Sequence, residues 1–412
     1  MSAGASDAPS MGRAIARPIV LPVPNRPFLI VALLFLGLSF QMVTFSGHLA
    51  DGELGSGPAL KAYHGLFAAF GLLLVARGRL VRWRPEMTAY FVVIGVTALL
   101  ASLRFGAKAA IVNTIFAAYA ATIGASAGRM AGRDTALRAL RWASVAVLAA
   151  VLLKAVLFLP EIVRFFASPF GHPTLPTFYG GGPNLEATWV AMAGVFLIGS
   201  RMFVPYMFGS AILCAAYASR AGFIVVLLVV VASIAGTLLR GGGGRVRRWM
   251  LPIAVVAVSV AGVSAARGVE GADYIARRFE SVGEDPGSTG RLTLWTGGVQ
   301  VFTSYPFGVG LGNAVPQIER TIGAAVTEDN LHNQYLQHAV ETGVQGLVAY
   351  LLLVGLAVRR VLKSRLADPM LVYVGIYFLL AMLQFRGAEA LLWFVYGLQH
   401  GTVTTLEDMH AA

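Results

Sequence analysis

The stretch HNQYLQHAVETGVQGLVAYLLLVGLAVRR, residues 332–360, opens with a crowd of hydrogen-bonding side chains and closes on two arginines. Between Val344 and Val358 it carries no charge. An uncharged apolar run closed by basic residues has the pattern of a membrane-crossing helix whose arginines stay on the cytoplasmic side. His332, Asn333, Gln334, Gln337, His338 and Glu341 stand at the other mouth of that helix. So many polar groups at the edge of a hydrophobic segment require a reason.

The same pattern repeats along the chain. Apolar runs at 28–46, 59–76, 88–103, 109–127, 141–159, 187–200, 202–219, 221–239, 249–265, 344–358, 370–384 and 389–404 suggest about twelve spans. Composition agrees: 57% of the 412 residues are hydrophobic and 13% charged, where a soluble domain has roughly 25% charged. Mean hydropathy is +0.71. The polar segment before Pro27 has no cleavage pattern ahead of a short apolar core, so the first span is expected to be retained. The expected fold is an all-α integral membrane protein. It has a tail at 1–27, transmembrane helices one to nine at 28–266, a large outer loop at 267–343, helices ten to twelve at 344–404, and a tail at 405–412.

A net charge of +12 would suit a nucleic-acid partner, but its placement argues for topology instead. Arg77, Arg79, Arg82 and Arg84 form one cluster, and Arg129, Arg133, Arg138 and Arg141 a second. Arg240, Arg245, Arg247 and Arg248 form a third, and Arg359, Arg360, Lys363 and Arg365 a fourth. Each follows an even-numbered span, on the side of Arg13, Arg17 and Arg26, which places both termini in the cytoplasm. No nucleic acid is expected as a partner; membrane lipids are. The single cysteine, Cys214, excludes an intrachain disulfide, and no zinc or iron–sulfur spacing occurs. No P-loop, dinucleotide fingerprint or acidic pair with metal or sugar-nucleotide spacing is found, so neither a cofactor nor a metal is expected.

Two outer loops follow from this topology, at 160–186 and 267–343. In the second, Ser288 and Thr289 are expected to cap an amphipathic helix with Leu292, Trp295, Val299 and Phe302 on one face. YPFGVGLGN reads as a turn, NAVPQIERTIGAAV as a second short helix and 330–343 as a third, together a helical cap. The informative arginines break the charge rule. Arg104, Lys108, Arg164, Arg220, Arg267, Arg277, Arg278, Arg291, Arg320 and Arg386 all lie on the outer side, with Glu186 and Glu389 the nearest acids to the spans. An external anion would balance them.

On the residues alone, each candidate has a plain alternative. Arg220 is either a snorkelling arginine at a helix end or an anion ligand. Arg291, in the first turn behind the Ser288–Thr289 cap, is either paired with Glu284 or Asp285 or a phosphate receptor whose fork grips two oxygens. His332 is either a surface histidine beside a cap or a general base. At helical spacing it shares a face with Tyr335, Leu336 and Ala339, while Asn333, Gln337 and Glu341 share another. His338 competes with it from a different face. Asn184 reads as an N-cap and Glu186 as a first-turn acid, or both as substrate contacts. Lys154, the main charge inside a span, lies within snorkelling reach of the outer interface.

Taken together these residues resemble the O-antigen ligase family, which shares a superfamily with O-antigen polymerases and protein O-oligosaccharyltransferases. His332, Asn333, nine residues, Gly343-Val344-Gln345-Gly346 and Tyr350 are similar to the family's histidine motif, with Leu347 where the family often has Thr. GRLTLWTGGVQVFTSYPFGVGLG, SRAG with Arg220 and GGPNLEAT with Asn184 are similar to further landmarks, over roughly residues 180–350. The resemblance implies a GT-C-type bundle with a periplasmic cap in the inner membrane of a Gram-negative bacterium. It also implies transfer of O-antigen from undecaprenyl pyrophosphate to a sugar hydroxyl of lipid A-core. His332 would be the base, and Arg220 and Arg291 would bind pyrophosphate. Asn184, Glu186, Asn333, Arg386, Arg104 and Lys108 are candidate substrate contacts. Polymerases tend to show two Arg-x10-Gly motifs; here Val231 and Phe302 occupy the glycine positions. A protein-glycosylating enzyme stays open. A polysaccharide-lipid transporter would show broken helices and repeats near mid-membrane.

Overall fold

The computed structural model describes residues 25–43, 61–76, 83–106, 110–167, 175–179, 182–241, 286–326, 328, 330–383 and 390–411. Regular elements among them are helical: α1 (Arg26–Ser39), α2 (Ala62–Ala76), α3 (Pro85–Phe105), α4 (Ala110–Leu157), α5 (Leu159–Ala167), α6 (Pro183–Ala193), α7 (Phe203–Ala216), α8 (Arg220–Leu239), α9 (Pro286–Ser304), α10 (Ala314–Ile322), α11 (Gln334–Lys363), α12 (Pro369–Leu380) and α13 (Ala390–Ala411). A 3₁₀ turn, Gly194–Leu197, follows α6.

Apart from 249–265, which lies outside the described residues, the apolar runs fall on these helices. Their lengths differ from expectation. Among the described residues four helices, α3, α4, α8 and α11, are long and apolar enough to cross a membrane. α1, α2, α7 and α12 are shorter apolar helices, and a 14-residue helix such as α1 reaches only about 21 Å. The runs 109–127 and 141–159 join in α4, interrupted at Gly132 (φ 67°, ψ 167°) between Arg129 and Arg133. The outer surfaces are apolar as well. Leu72 is 71% exposed and Leu103 81%, with Val96, Val112, Ile115 and Leu227 also outward. In water such surfaces drive aggregation; against lipid they are the required covering. The protein is an α-helical membrane protein.

Among the described residues the most extensive helix contact joins α4 to α13. Each carries a Gly-x-x-x-Gly step, Gly124–Gly128 in one and Gly397–Gly401 in the other. A methyl at Gly124 would strike the Phe394 carbonyl, and one at Gly128 that of Leu398. In return Gly397 faces the carbonyl of Ala121 and Gly401 that of Ala125. Small residues let helices approach to backbone contact, which is what holds helices together where lipid removes the hydrophobic drive. The periodicity that located the spans does not reveal this pairing.

One end of the bundle gathers the basic clusters. Arg133 donates to the carbonyl of Ala367 (3.3 Å) and Arg240 to that of Leu366 (3.2 Å). Arg84 donates to Gln399 (2.8 Å), which in turn donates to Asp368 (3.1 Å). Arg360 pairs with Glu86 at 2.5 Å and donates to Tyr396 at 2.8 Å. Members of all four clusters therefore meet at the turn between α11 and α12. Because α3 leaves that end while α8 and α11 arrive at it, Arg104, Arg220 and His332 lie at the opposite end.

That opposite end carries a small second core. Leu294, Val301, Val309, Ala314, Val315, Ile318, Leu331 and Val340 pack together, with Trp295 and Phe302 partly buried against them. The buried face of α9 is thus Leu294 and Val301 rather than the expected Leu292 and Val299, which are exposed. Ser288 and Thr289 are not caps. α9 begins at Pro286, whose fixed φ suits a first helical position, so Arg291 falls in the second turn.

Candidate active site

α11 breaks at Gly343 (φ 71°, ψ −169°). A break strands the carbonyls just before it and the amides just after it. The glycine loop 306–312 supplies both partners. Val309 N donates to Val340 O (3.0 Å), Gly310 N to Glu341 O (2.8 Å), and Val344 N to Pro306 O (2.9 Å). The fit is backbone against backbone: a methyl on Gly308 (φ 91°) would lie 2.5 Å from Glu341 O and 2.7 Å from Gly343 N. PFGVGLG and GVQG, distant in sequence, form one joint.

Most polar groups at the mouth of α11 serve this joint. Asn333 is the N-cap, accepting from Leu336 N at 3.1 Å. Gln337 accepts from Leu331 N (3.0 Å) and donates to Glu341 (2.6 Å). The buried Glu341 carboxylate also accepts from Gly312 N (2.8 Å), next to the start of α10, where a helix N-terminus favours negative charge. Gln334 Oε1 accepts from Tyr377 Oη (3.3 Å), and its backbone N–H donates to Ala381 O (2.8 Å). His338 is buried, its Nε2 3.2 Å from Tyr90 Oη and its ring 4.4 Å from that of Tyr350.

His332 differs from all of these. It precedes α11 rather than lying on a helical face, with φ at 50°, so the expected shared face with Tyr335 and Ala339 does not exist. Its side chain is 21% exposed, and Nε2 lies 2.9 Å from Glu328 Oε2. Its amide donates to Asn330 Oδ1 at 2.8 Å. The neighbouring carbonyl, Leu331 O, accepts from the indole of Trp295 at 2.7 Å. Trp295 is one turn from Arg291 on the same face of α9, so this bond brings Arg291 into the neighbourhood of His332.

A second group forms at α8. Ser219 is its N-cap, accepting from Gly222 N at 3.0 Å, and Arg220 is the first helical residue. The Ser219 hydroxyl also reaches the Asn184 carbonyl (2.7 Å) and Oδ1 (2.5 Å). Asn184 is therefore not the N-cap of α6, which is Gly182; it ties α6 to the Arg220 turn. Trp189 of α6 stacks on Tyr377 at 5.4 Å, and Tyr377 bonds Gln334, which connects the two groups.

Glu186 changes role. Its carboxylate is buried and ion-paired with Lys154, the side chains being 1% and 5% exposed. Its other oxygen accepts from Phe178 N (2.6 Å), while Lys154 donates to Pro176 O (2.8 Å). Lys154 does not snorkel but pairs with Glu186; together they pin residues 175–179 to α4 and α6. Lys154→Met is expected to cost about 3–5 kcal/mol by stranding a buried carboxylate. Lys154→Met/Glu186→Gln should recover most of it, read as the thermal midpoint in detergent. Equal midpoints for the single and double variants would refute the pairing's role.

Arg104 lies elsewhere. It sits over the rings of Phe105 (5.2 Å) and Tyr305 (5.6 Å), beyond the far end of α9, roughly 20 Å along the helix from Arg291. Lys108, Arg386 and Glu389 lie outside the described residues. No group of three or more His, Cys, Asp or Glu side chains with metal-binding geometry occurs among the described residues. Sequence reasoning passed over Glu328, although its four-residue spacing from His332 is visible, and Ser219, which needed the fold to meet Asn184.

No curated protein matches the chain. A family model does, and its bounds enclose Arg220, Arg291, the glycine loop, the break at Gly343 and Tyr350. Residues 205–351 match the O-antigen ligase family model, so over that stretch, about a third of its length, the chain is similar to O-antigen ligases.

Proposed function

We propose that the protein is an O-antigen ligase. In this reading it transfers polysaccharide from undecaprenyl pyrophosphate to a sugar hydroxyl of lipid A-core, at the periplasmic face of the inner membrane. The observation that carries it is the joining of Arg291's helix to the His332 loop at the end of the bundle opposite the basic clusters. His332 accepts the proton of the attacking hydroxyl, the role of a general base. As the glycosidic bond breaks, negative charge develops on the pyrophosphate. Arg220 and Arg291 stabilise it through forked hydrogen bonds, the electrostatic contribution a preorganised site makes. Asn184 acts through Ser219 by setting the Arg220 turn, and Asn333 by capping α11 beside His332. In this reading the reaction is metal-independent, with Arg220 and Arg291 supplying the positive charge that a cation would otherwise bring.

A deletion strain tests the reading. Loss of long-chain lipopolysaccharide with accumulation of polymerised, lipid-linked chains is the ligase result. Loss of the polymer itself would mean a polymerase, and unchanged lipopolysaccharide would refute both. Orientation has its own test. In a Cys214→Ser background, cysteines placed at Arg320 and His332 should react with an impermeant thiol reagent in spheroplasts, and cysteines at Arg82 and Arg245 only after lysis. The reverse pattern would overturn the periplasmic site.

A further inference from the structure

We propose that Glu328 is a positioning residue for His332, fixing which ring nitrogen acts as the base; this rests on the ligase reading above. An ionised carboxylate only accepts hydrogen bonds, so the 2.9 Å contact between Glu328 Oε2 and His332 Nε2 assigns the ring proton to Nε2. The lone pair then resides on Nδ1. The backbone is held independently: Asn330 Oδ1 accepts the His332 amide, and Asn333 caps the next helix. His332 is thus clamped on both sides of its Cα, in a left-handed conformation that an unclamped histidine seldom adopts. Glu328 adds the remaining constraint, on the ring. A neutral imidazole without such a partner divides itself between two tautomers.

The chemistry balances without a further reactant. The acceptor O–H bond breaks and its proton passes to Nδ1. The oxygen's electron pair forms the bond to the anomeric carbon, and the carbon–oxygen bond to phosphate breaks with its pair staying on the pyrophosphate. His332 is an imidazolium at that moment, and the Glu328 carboxylate at Nε2–H stabilises it. Release of the proton to solvent restores the base.

The purified full-length protein, with lipid-linked donor and lipid A-core acceptor, provides the test. Glu328→Ala should lower kcat roughly tenfold or more, as when the group orienting a working imidazole is removed. The donor KM should stay within about twofold, because no ground-state contact is lost. Glu328→Gln retains an oxygen that can accept the Nε2 proton but lacks the charge, so it should fall between wild type and Glu328→Ala. In [¹⁵N]histidine spectra, the signals missing from His332→Ala should show a single Nε2–H tautomer in wild type and Glu328→Gln. Should Glu328→Ala not purify as a monodisperse protein, the Glu328→Gln rate and the wild-type tautomer decide. A wild-type rate in either variant, or an Nδ1–H tautomer in wild type, overturns the proposal. With His332→Ala inactive, such a result leaves the ligase reading standing; an active His332→Ala overturns the base assignment and the role of Glu328 together.

Discussion

His332→Ala is expected to lower the rate of glycosyl transfer about 10²–10⁴-fold, the range general-base catalysis contributes, with folding and donor binding preserved. The structural reason for intact folding is the position of the residue. His332 lies ahead of α11 with a partly exposed side chain, and its ring bonds to the half-exposed Glu328. Single-turnover transfer from a lipid-linked donor, paired with a thermal melt, separates the two effects. A loss below roughly tenfold would remove His332 from the chemistry. His338 is no neutral control for this experiment. It is sealed between Tyr90 and Tyr350, so His338→Ala leaves a gap and an unpaired Tyr90 hydroxyl, and should lower the melting point.

Gly308→Ala is expected to unfold the joint between the glycine loop and α11. At φ 91° any side chain is strained, a cost of about 1–3 kcal/mol. The new methyl would also overlap backbone atoms of Glu341 and Gly343, which cannot rotate away as a side chain can. Overpacking of that kind adds about 1–3 kcal/mol. Gly323→Ala separates the two terms: its φ is 71°, but nothing lies within 4 Å of the added methyl. The Gly323 variant should show only the strain, and the Gly308 variant should lose activity and melt well below it. Similar melting points for both would mean that the loop does not press on the helix break.

The helical class and most apolar segments were legible because hydrophobic runs persist over many residues. Their lengths as helices were less so, since the runs 109–127 and 141–159 extend towards each other to meet at a kink at Gly132 where a loop was expected. In the candidate site, Arg291 and His332 stood out in the sequence as candidates, but their settings did not. Proline at 286 moved the start of α9 and with it the turn holding Arg291. A left-handed backbone put His332 outside the helix that its spacing suggested. Glu186 looked like an ordinary first-turn acid because its partner Lys154 comes from a helix 32 residues earlier. Glycines 308 and 343 were visible as motif letters, but their function is a mutual contact that only the fold discloses.

The glycine faces of α4 and α13 have a consequence for biosynthesis. Gly124 and Gly128 leave the ribosome some 270 residues before Gly397 and Gly401. Throughout that interval α4 carries a ridge-free groove whose intended occupant has not been made. A chain stalled after α12 would keep the groove open and offer it to any other helix with a small-residue face, including that of a neighbouring nascent copy. The last translated helix therefore acts as the closing piece of the bundle, and C-terminal truncations should fail in assembly before they fail in catalysis.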